Sequence, residues 1–477
     1  MINRISSKNI LNPSNELSKF IISSFVMLFT LYVLSILKGS KDTLIVIELG
    51  AELISTIKLY GVLPFAVMFT LTYIKLANVF TRLQIYHLLN FCFISFFVIF
   101  DLFLYPNANT LHFNLQHLEL ELPIFKYQLI MISNWSFTLF YIASELWGNV
   151  MLALMFWQLI NQIYTIEQAR KYYPLFGIIG ELGLLLSGII LSYFTSTRFT
   201  SDWSKSLDYI TLSIVIAGIL ISVFIHILSA NIADEAIING TNSKSIRPKL
   251  NLIKSLKYVM SSKYLGLIIL IVVSYGVSIN VLEGVWKKHA SLLYTSTIDY
   301  GHFIAKVQIL TSIMTIICIF FSFYTLKYFN WCIAAIITPI VMILTGIPFF
   351  IFAIFKDNLV IFTQWTGFGS LTVCILLGGI QNIMSRGTKN SFFTPTKEMA
   401  FIPLDEDLKA KGKGVSDVIG ERFGKSIGAL TQWLILSFVV NSTLITMAPY
   451  LFIVYLVVLI IWIIAVITLN KEFKAIT

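Results

Sequence analysis

The sequence predicts an all-α membrane protein with twelve transmembrane helices. The chain has 477 residues, of which 57% are hydrophobic and only 12% are charged, about half the charge of a typical soluble domain. Apolar stretches recur along it at about 20 residues each, the length that spans a bilayer as a helix. The stretches are continuous, whereas a membrane barrel would show short segments of alternating polarity. The predicted spans are 18–37, 56–79, 86–105, 131–163, 172–195, 207–229, 263–283, 303–325, 331–354, 359–384, 415–440 and 445–470.

The basic residues are distributed unevenly between the two sides of the predicted bundle. A formal net charge of +10 could indicate a nucleic-acid partner. With both termini in the cytoplasm, however, the cytoplasmic segments hold 19 Lys and Arg residues and the opposite side holds 8. This bias is the positive-inside pattern of membrane proteins. We therefore expect both termini in the cytoplasm, the lipid bilayer as surroundings and no nucleic-acid partner.

The longest polar interruption, Asn231 to Ser262, divides the spans into six and six. We expect an N-terminal half at 1–230, a basic cytoplasmic linker at 231–262 and a C-terminal half at 263–477. Two six-helix halves joined in this way are typical of major facilitator transporters, in which substrate binds near the midplane between the halves. A second polar segment, Arg386 to Gly414, is also predicted to be a basic cytoplasmic loop.

Several charged residues lie deep inside predicted spans. Glu145 stands in the middle of span 131–163, where a carboxylate costs about 2.5 kcal/mol or more. Such groups face a polar cavity or find a partner. The other charges at comparable depth are Glu181, Glu283, Lys306, Glu421, Arg422 and Lys425. Together they indicate a membrane-embedded path for a charged solute.

Three of these charges and one lysine at a predicted span end are candidates for contact with that solute. Lys41, at the predicted outer end of span 1, either stabilises the helix end by snorkelling or contacts a phosphate or carboxylate at a cavity mouth. Glu145 and Glu283 either pair with a neighbouring helix or face the solute, and Glu283 is predicted nearer a membrane edge. Lys425 is a point charge that would attract an anion, and Glu421, four residues earlier, could partly neutralise it.

Glu181 lies among Leu, Ile and Gly residues, where desolvation disfavours the charged form of a carboxylate. It is a candidate for proton coupling, or it pairs with Lys306 or Lys425. The six histidines and four cysteines show no metal-ligand spacing. We expect no metal, no cofactor and no catalytic residue.

The charged motifs, taken in order, resemble the nucleotide transporter family of obligate intracellular bacteria and plastids, whose best-known members are ATP/ADP translocases. The resemblance covers nearly the whole chain. The motifs that carry it are LKGSKD at 37–42, ASELWG at 143–148, FWQ at 156–158, YGVSINVLEGVWK at 275–287, TKEMAFIPLD at 396–405 and GKS at 424–426.

This resemblance implies that Lys41, Glu145, Glu283 and Lys425 bind the substrate, and that ATP is exchanged for ADP by alternating access. Glu181, Lys306 and Glu421 would modulate coupling. No Arg/Ser-rich transit peptide precedes the first span, which argues against a plastid precursor, so we expect a bacterial inner membrane. We also expect a monomer. The alternative is a proton-coupled importer or exchanger of other nucleotides (GTP, CTP, UTP or NAD) that uses Glu181. A membrane-embedded enzyme is less favoured, because the sequence carries no nucleophile motif or clustered His/Asp ligands. A channel is a third possibility, which non-saturable flux would distinguish.

Overall fold

A computed structural model describes residues 16–239, 262–360, 367–404, 420–439 and 442–476. These residues form twelve long helices, and the all-α, major-facilitator-like class is confirmed. The first six are α1 (Glu16–Glu48), α2 (Leu53–Val79), α3 (Arg82–Leu104), α4 (Trp135–Ile163), α5 (Ile166–Phe194) and α6 (Trp203–Asn239). The last six are α7 (Lys263–Leu293), α8 (Thr297–Tyr328), α9 (Trp331–Phe355), α10 (Ser370–Thr388), α11 (Glu421–Phe438) and α12 (Ala448–Ile476).

Ten of these helices are long and apolar enough to cross a membrane. The remaining two, α10 and α11, are shorter as described and overlap predicted spans 10 and 11. Helix α10 continues without a break through a π-helical segment, Lys389–Phe393, into a further turn of helix, Thr394–Ala400. The connection between α3 and α4 carries four short elements, Ala108–Leu111, Gln116–Glu121, Pro123–Phe125 and Lys126–Ser133.

Three predicted span limits were wrong for one physical reason. Helix α1 runs to Glu48 rather than 37, α7 runs to Leu293 rather than 283, and the α10 unit runs to Ala400 rather than 384. The predicted loop from Arg386 is therefore helical as far as Ala400. In each case charged residues were taken as the end of a span, whereas they lie inside the bundle and face one another.

The predicted linker lies mostly outside the described residues. Helix α6 continues to Asn239, which is inside the segment assigned to the linker, and residues 240–261 are not described. The domain limits 1–230, 231–262 and 263–477 stay a prediction.

Polar side chains fix the starts of several helices. At the start of α3, Thr81 and Gln84 form a capping box, in which each side chain bonds the other residue's backbone N–H. Thr165 and Gln168 form the same pair at the start of α5. The Ser262 hydroxyl accepts from the backbone N–H of Leu265 at the start of α7. These caps satisfy backbone donors that a helix leaves unpaired in its first turn.

The two halves pack together mainly at one end of the bundle. We call the end that holds Glu16 and Ile476 the termini end, and the opposite end the far end. The main contact is between the last turns of α5 and the first turns of α8. A Cβ atom added to Gly188 would lie 2.8 Å from Ile309, and His302 Nδ1 lies 2.9 Å from the Ser192 carbonyl oxygen. Because successive helices alternate in direction, these contacts lie toward the far end.

Candidate functional site

A cluster of charged side chains lies between the two halves, and Lys41 of α1 lies at its centre. The Lys41 side chain is 3% exposed. Its Nζ lies 2.8 Å from Glu145 Oε1 on α4 and 3.0 Å from Asp42 Oδ1. It also lies 3.7 Å from the centre of the Tyr141 ring, within the range of a cation–π contact. The prediction that Lys41 lies at the outer end of its span was wrong, because α1 continues for two further turns.

Helix α7 continues the cluster across the interface. Lys287 Nζ lies 2.8 Å from Asp42 Oδ2 and 3.0 Å from Glu283 Oε1. Glu283 and Lys287 are four residues apart, so they share one face of the helix. Glu283 Oε1 also accepts from Arg386 Nη2 of α10 at 2.9 Å. Asp42 and Lys287 thus join a continuous chain of ion pairs from Glu145 in the N-terminal half to Arg386 in the C-terminal half.

Two further contacts bridge the halves, and they join the start of α2 and the turn before it to α7. Lys288 Nζ lies 3.0 Å from Glu52 Oε1, in the turn between α1 and α2. Lys58 Nζ donates to Asn280 Oδ1 at 2.6 Å. That turn needs Gly50, whose φ of 95° is left-handed.

Lys425 reaches the cluster because α11 packs closely against α7. A Cβ atom added to Gly276 of α7 would lie 2.8 Å from the Gly424 Cα atom of α11. Only glycine permits this approach of two backbones. Lys425 is exposed, and its charge attracts the Glu145 carboxylate. Glu145 is 27% exposed and thus open to the same space.

Three cations of the cluster have no carboxylate within 4 Å among the described side chains. They are Lys38 on α1, Lys58 on α2 and Lys425 on α11. Lys38 lies near enough to Glu283 and to Arg386 for their charges to act on it. Lys41, Lys287 and Arg386 are each paired with one or more of Asp42, Glu145 and Glu283. Among the described side chains of the cluster, six cations therefore share three carboxylates, and this excess of positive charge favours an anion.

The sequence singled out four substrate-contact candidates, and they lie in one region. Lys41 and Glu145 form an ion pair. Glu283 joins them through Lys287 and Asp42. The prediction that Glu283 lies nearer a membrane edge was wrong, because α7 continues beyond Glu283 as far as Leu293.

Two of the three modulating candidates, Glu181 and Lys306, lie apart from that chain of ion pairs. Glu181 is 7% exposed and accepts from Asn390 Nδ2 of the α10 unit at 2.9 Å. Lys306 is exposed on α8 and forms no ion pair with any described side chain, so its predicted pairing with Glu181 is not found. The Glu421 side chain lies outside the described part of the chain. Its pairing with Lys425 stays a prediction.

Sequence reasoning missed five members of the cluster. Lys38 stood within the LKGSKD motif and was given no role. Asp42 and Lys287 stood within quoted motifs and were given no role. The spacing of Glu283 and Lys287 on one helical face was a usable signal. Lys58 lies inside predicted span 56–79, so the cost of a charge inside a span, which singled out Glu145, applied to Lys58 as well. Arg386 was missed because it was assigned to a loop.

The fold and the charged cavity define a membrane transporter of the major facilitator type. The chain matches the inward-open xylose transporter XylE from E. coli with a TM-score of 0.56 and 13% identity, covering 96% of each chain. It matches a bacterial homologue of the iron transporter ferroportin, in an inward-facing state, with a TM-score of 0.58 and 14% identity, covering 94% of this chain and 98% of that one. At these identities the likeness shows the fold alone.

The chain belongs to the TLC ATP/ADP transporter family, whose model matches residues 8–473. It is 37% identical to ADP,ATP carrier protein 3 of Rickettsia bellii over 96% of this chain and 95% of the relative. It is 34% identical to ADP,ATP carrier protein 1 of the same organism, over 96% of this chain and 94% of the relative. The family resemblance inferred from the motifs is confirmed.

Proposed function

We propose that this protein exchanges nucleotides, ATP for ADP in the first instance, across a bacterial inner membrane by alternating access. The observation that carries the proposal is the cationic cavity between the halves of a TLC-family chain. Nucleoside di- and triphosphates carry several negative charges, and an excess of three cations over carboxylates among the described side chains of the cluster matches an anion of that kind. Charge-assisted hydrogen bonds to phosphate are about twice as strong as neutral ones.

Lys41 and Lys425 bind the phosphates, each from its own half of the protein. Lys425 has no described carboxylate to release first. Lys41 is held by Glu145 at 2.8 Å, so an arriving phosphate replaces that carboxylate as the partner of Lys41. Glu145 is then free to accept from a ribose hydroxyl or a base amine. Glu283 is held by Arg386 and Lys287. When the arriving phosphate replaces it as their partner, Glu283 of the C-terminal half is likewise free to accept from the substrate.

Alternating access follows from the position of the contacts between halves. With both termini in the cytoplasm, the far end faces outward. The α5–α8 contact and the Asp42–Lys287 pair then close the site toward the outside. Release of these contacts, together with closure at the termini end, would turn the site outward.

Uptake of radiolabelled nucleotides by intact bacterial cells expressing the chain tests this proposal. We expect saturable uptake of ATP and ADP, inhibition by unlabelled nucleotide and no inhibition by adenosine, which lacks phosphate. Cells expressing Lys41→Ala at the same membrane level are the control. No nucleotide uptake above that of cells without the protein would refute the proposal.

One observation supports the proton-coupled alternative. Glu181 is buried where α5 meets the α10 unit, and its described partner, Asn390, is neutral. A carboxylate without a cationic partner can gain and lose a proton as the halves move. Uptake that needs a proton gradient, and proceeds without internal nucleotide, would favour this alternative over exchange.

A further inference from the structure

Lys58 occupies an unusual position on α2. It lies in a π-helical segment, Ile57–Val62, at the second residue of the segment. Single π-helical turns alter the direction of a side chain and are frequent at functional sites. Here the side chain crosses to the other half of the protein and donates to Asn280 Oδ1 at 2.6 Å.

The acceptor of Lys58 is fixed in place and carries no charge. Asn280 Nδ2 donates to the Gly276 carbonyl oxygen at 3.0 Å, so the amide oxygen is the atom that faces Lys58. The backbone carbonyl oxygen of Asn280 accepts from Gln432 Nε2 at 2.7 Å. Asn280 therefore uses one proton of the ammonium group, and among the described side chains no carboxylate lies within 4 Å to pair with its positive charge.

Lys58 opens into the same space as the charged cluster. The polar residues that line the pocket beside it are Ser55, Lys58, Asn280, Glu283, Lys287 and Gln432. The charges of Glu145 and Lys41 also act on Lys58. An anion bound between Lys41 and Lys425 would therefore lie within the electrostatic reach of a third, unpaired ammonium group.

We propose that Lys58 is a substrate contact that binds the terminal phosphate and sets the preference between nucleoside triphosphates and diphosphates. This inference rests on the proposed nucleotide exchange and deepens it. A triphosphate carries more negative charge than a diphosphate. An ammonium group held only by a neutral amide gains most from that added charge, and Asn280 fixes its position before substrate arrives.

A purely structural role for Lys58 makes a different prediction. If the bond from Lys58 to Asn280 only holds the halves together, its loss changes the rate of transport for every nucleotide alike. If Lys58 binds the terminal phosphate, its loss weakens ATP more than ADP. The ratio of the two affinities therefore separates the roles.

The test measures inhibition of labelled ADP uptake by unlabelled ATP and ADP in Lys58→Gln. We expect the half-inhibitory concentration of ATP to rise about tenfold or more, the scale for loss of a hydrogen bond to a charged group, and that of ADP to rise less. Lys75→Gln removes an exposed lysine from the same helix and should change neither value. Lys58→Arg should retain the preference of the parent for ATP relative to ADP.

A second variant covers the case in which Lys58→Gln fails to reach the membrane. Asn280→Asp keeps Lys58 and gives it a carboxylate partner, so it should shift preference toward ADP as Lys58→Gln does. Equal rises for ATP and ADP, or no rise, in the variants that reach the membrane would overturn the inference. A parent protein that takes up no nucleotide would instead refute the proposed function, so the two failures are distinguishable.

Discussion

Removal of the Asp42 charge should open the far end of the protein. Asp42 holds Lys287 across the interface at 2.8 Å and Lys41 on its own helix at 3.0 Å. Its side chain and that of Lys287 are each 5% exposed. In Asp42→Asn, the buried ammonium groups of Lys41 and Lys287 each lose one carboxylate partner in the conformation whose far end is closed. That conformation should therefore become less stable relative to the one whose far end is open.

The expected size of this effect follows from the partners that remain. Loss of one member of a buried charge pair costs about 3–5 kcal/mol. Lys287 keeps Glu283 at 3.0 Å and Lys41 keeps Glu145 at 2.8 Å. We therefore take a smaller value, about 2 kcal/mol, from the lower end of the range for truncated pairs. This free energy corresponds to a roughly 30-fold change in the ratio of closed to open protein.

Thiol accessibility measures that ratio. Thr195 is fully buried at the α5–α8 contact, and a Cβ atom on Gly301 would lie 3.0 Å from its Cγ2 atom. A cysteine at Thr195, in a background without the native cysteines, should react faster with an impermeant reagent added outside intact cells when Asp42→Asn is present. Asp357→Asn, an exposed substitution near the same end, is the matched control. Equal labelling rates in Asp42→Asn and the control, at equal protein levels, would refute the reasoning.

Substitutions at three residues test other parts of the site. Lys425→Ala should lower apparent nucleotide affinity by about 2–4 kcal/mol without loss of membrane insertion. Lys425→Arg should restore the affinity only in part, because a guanidinium is a planar fork rather than a point charge. Labelled uptake, normalised to protein level, measures both effects. Glu145→Gln should strongly reduce transport at a normal protein level, and disappearance of the variant from the membrane would instead indicate a structural pair. Glu181→Gln should leave exchange of preloaded nucleotide largely intact, since the amide can still bond Asn390; loss of a pH dependence of net uptake would favour the proton-coupled alternative.

Much of the fold could be predicted because hydropathy is a local property. Each span is a run of apolar residues that needs no knowledge of its neighbours. The errors in span limits at α1, α7 and the α10 unit have a common source. A sequence cannot show whether a charge such as Arg386 meets water at a helix end or a carboxylate within the bundle.

The site was predicted as a set of residues but not as a network. The cost of burying a charge singled out Glu145, Glu283 and Lys425, Lys41 was a candidate at a predicted helix end, and the family motifs matched all four. The pairing of Asp42 with Lys287 depends on how the halves dock, which no local pattern encodes. Nor does the sequence show the π-helical segment that directs Lys58 toward Asn280, because such segments lack a distinct periodic signature.

Counter-exchange in proteoliposomes tests the central claim most directly. Purified protein is reconstituted into vesicles that contain labelled ATP, and unlabelled ADP is then added outside. We predict that labelled ATP leaves only when external nucleotide is present, and that Lys425→Ala abolishes this release. Release of ATP at the same rate without external nucleotide, or full exchange by Lys425→Ala, would contradict the account.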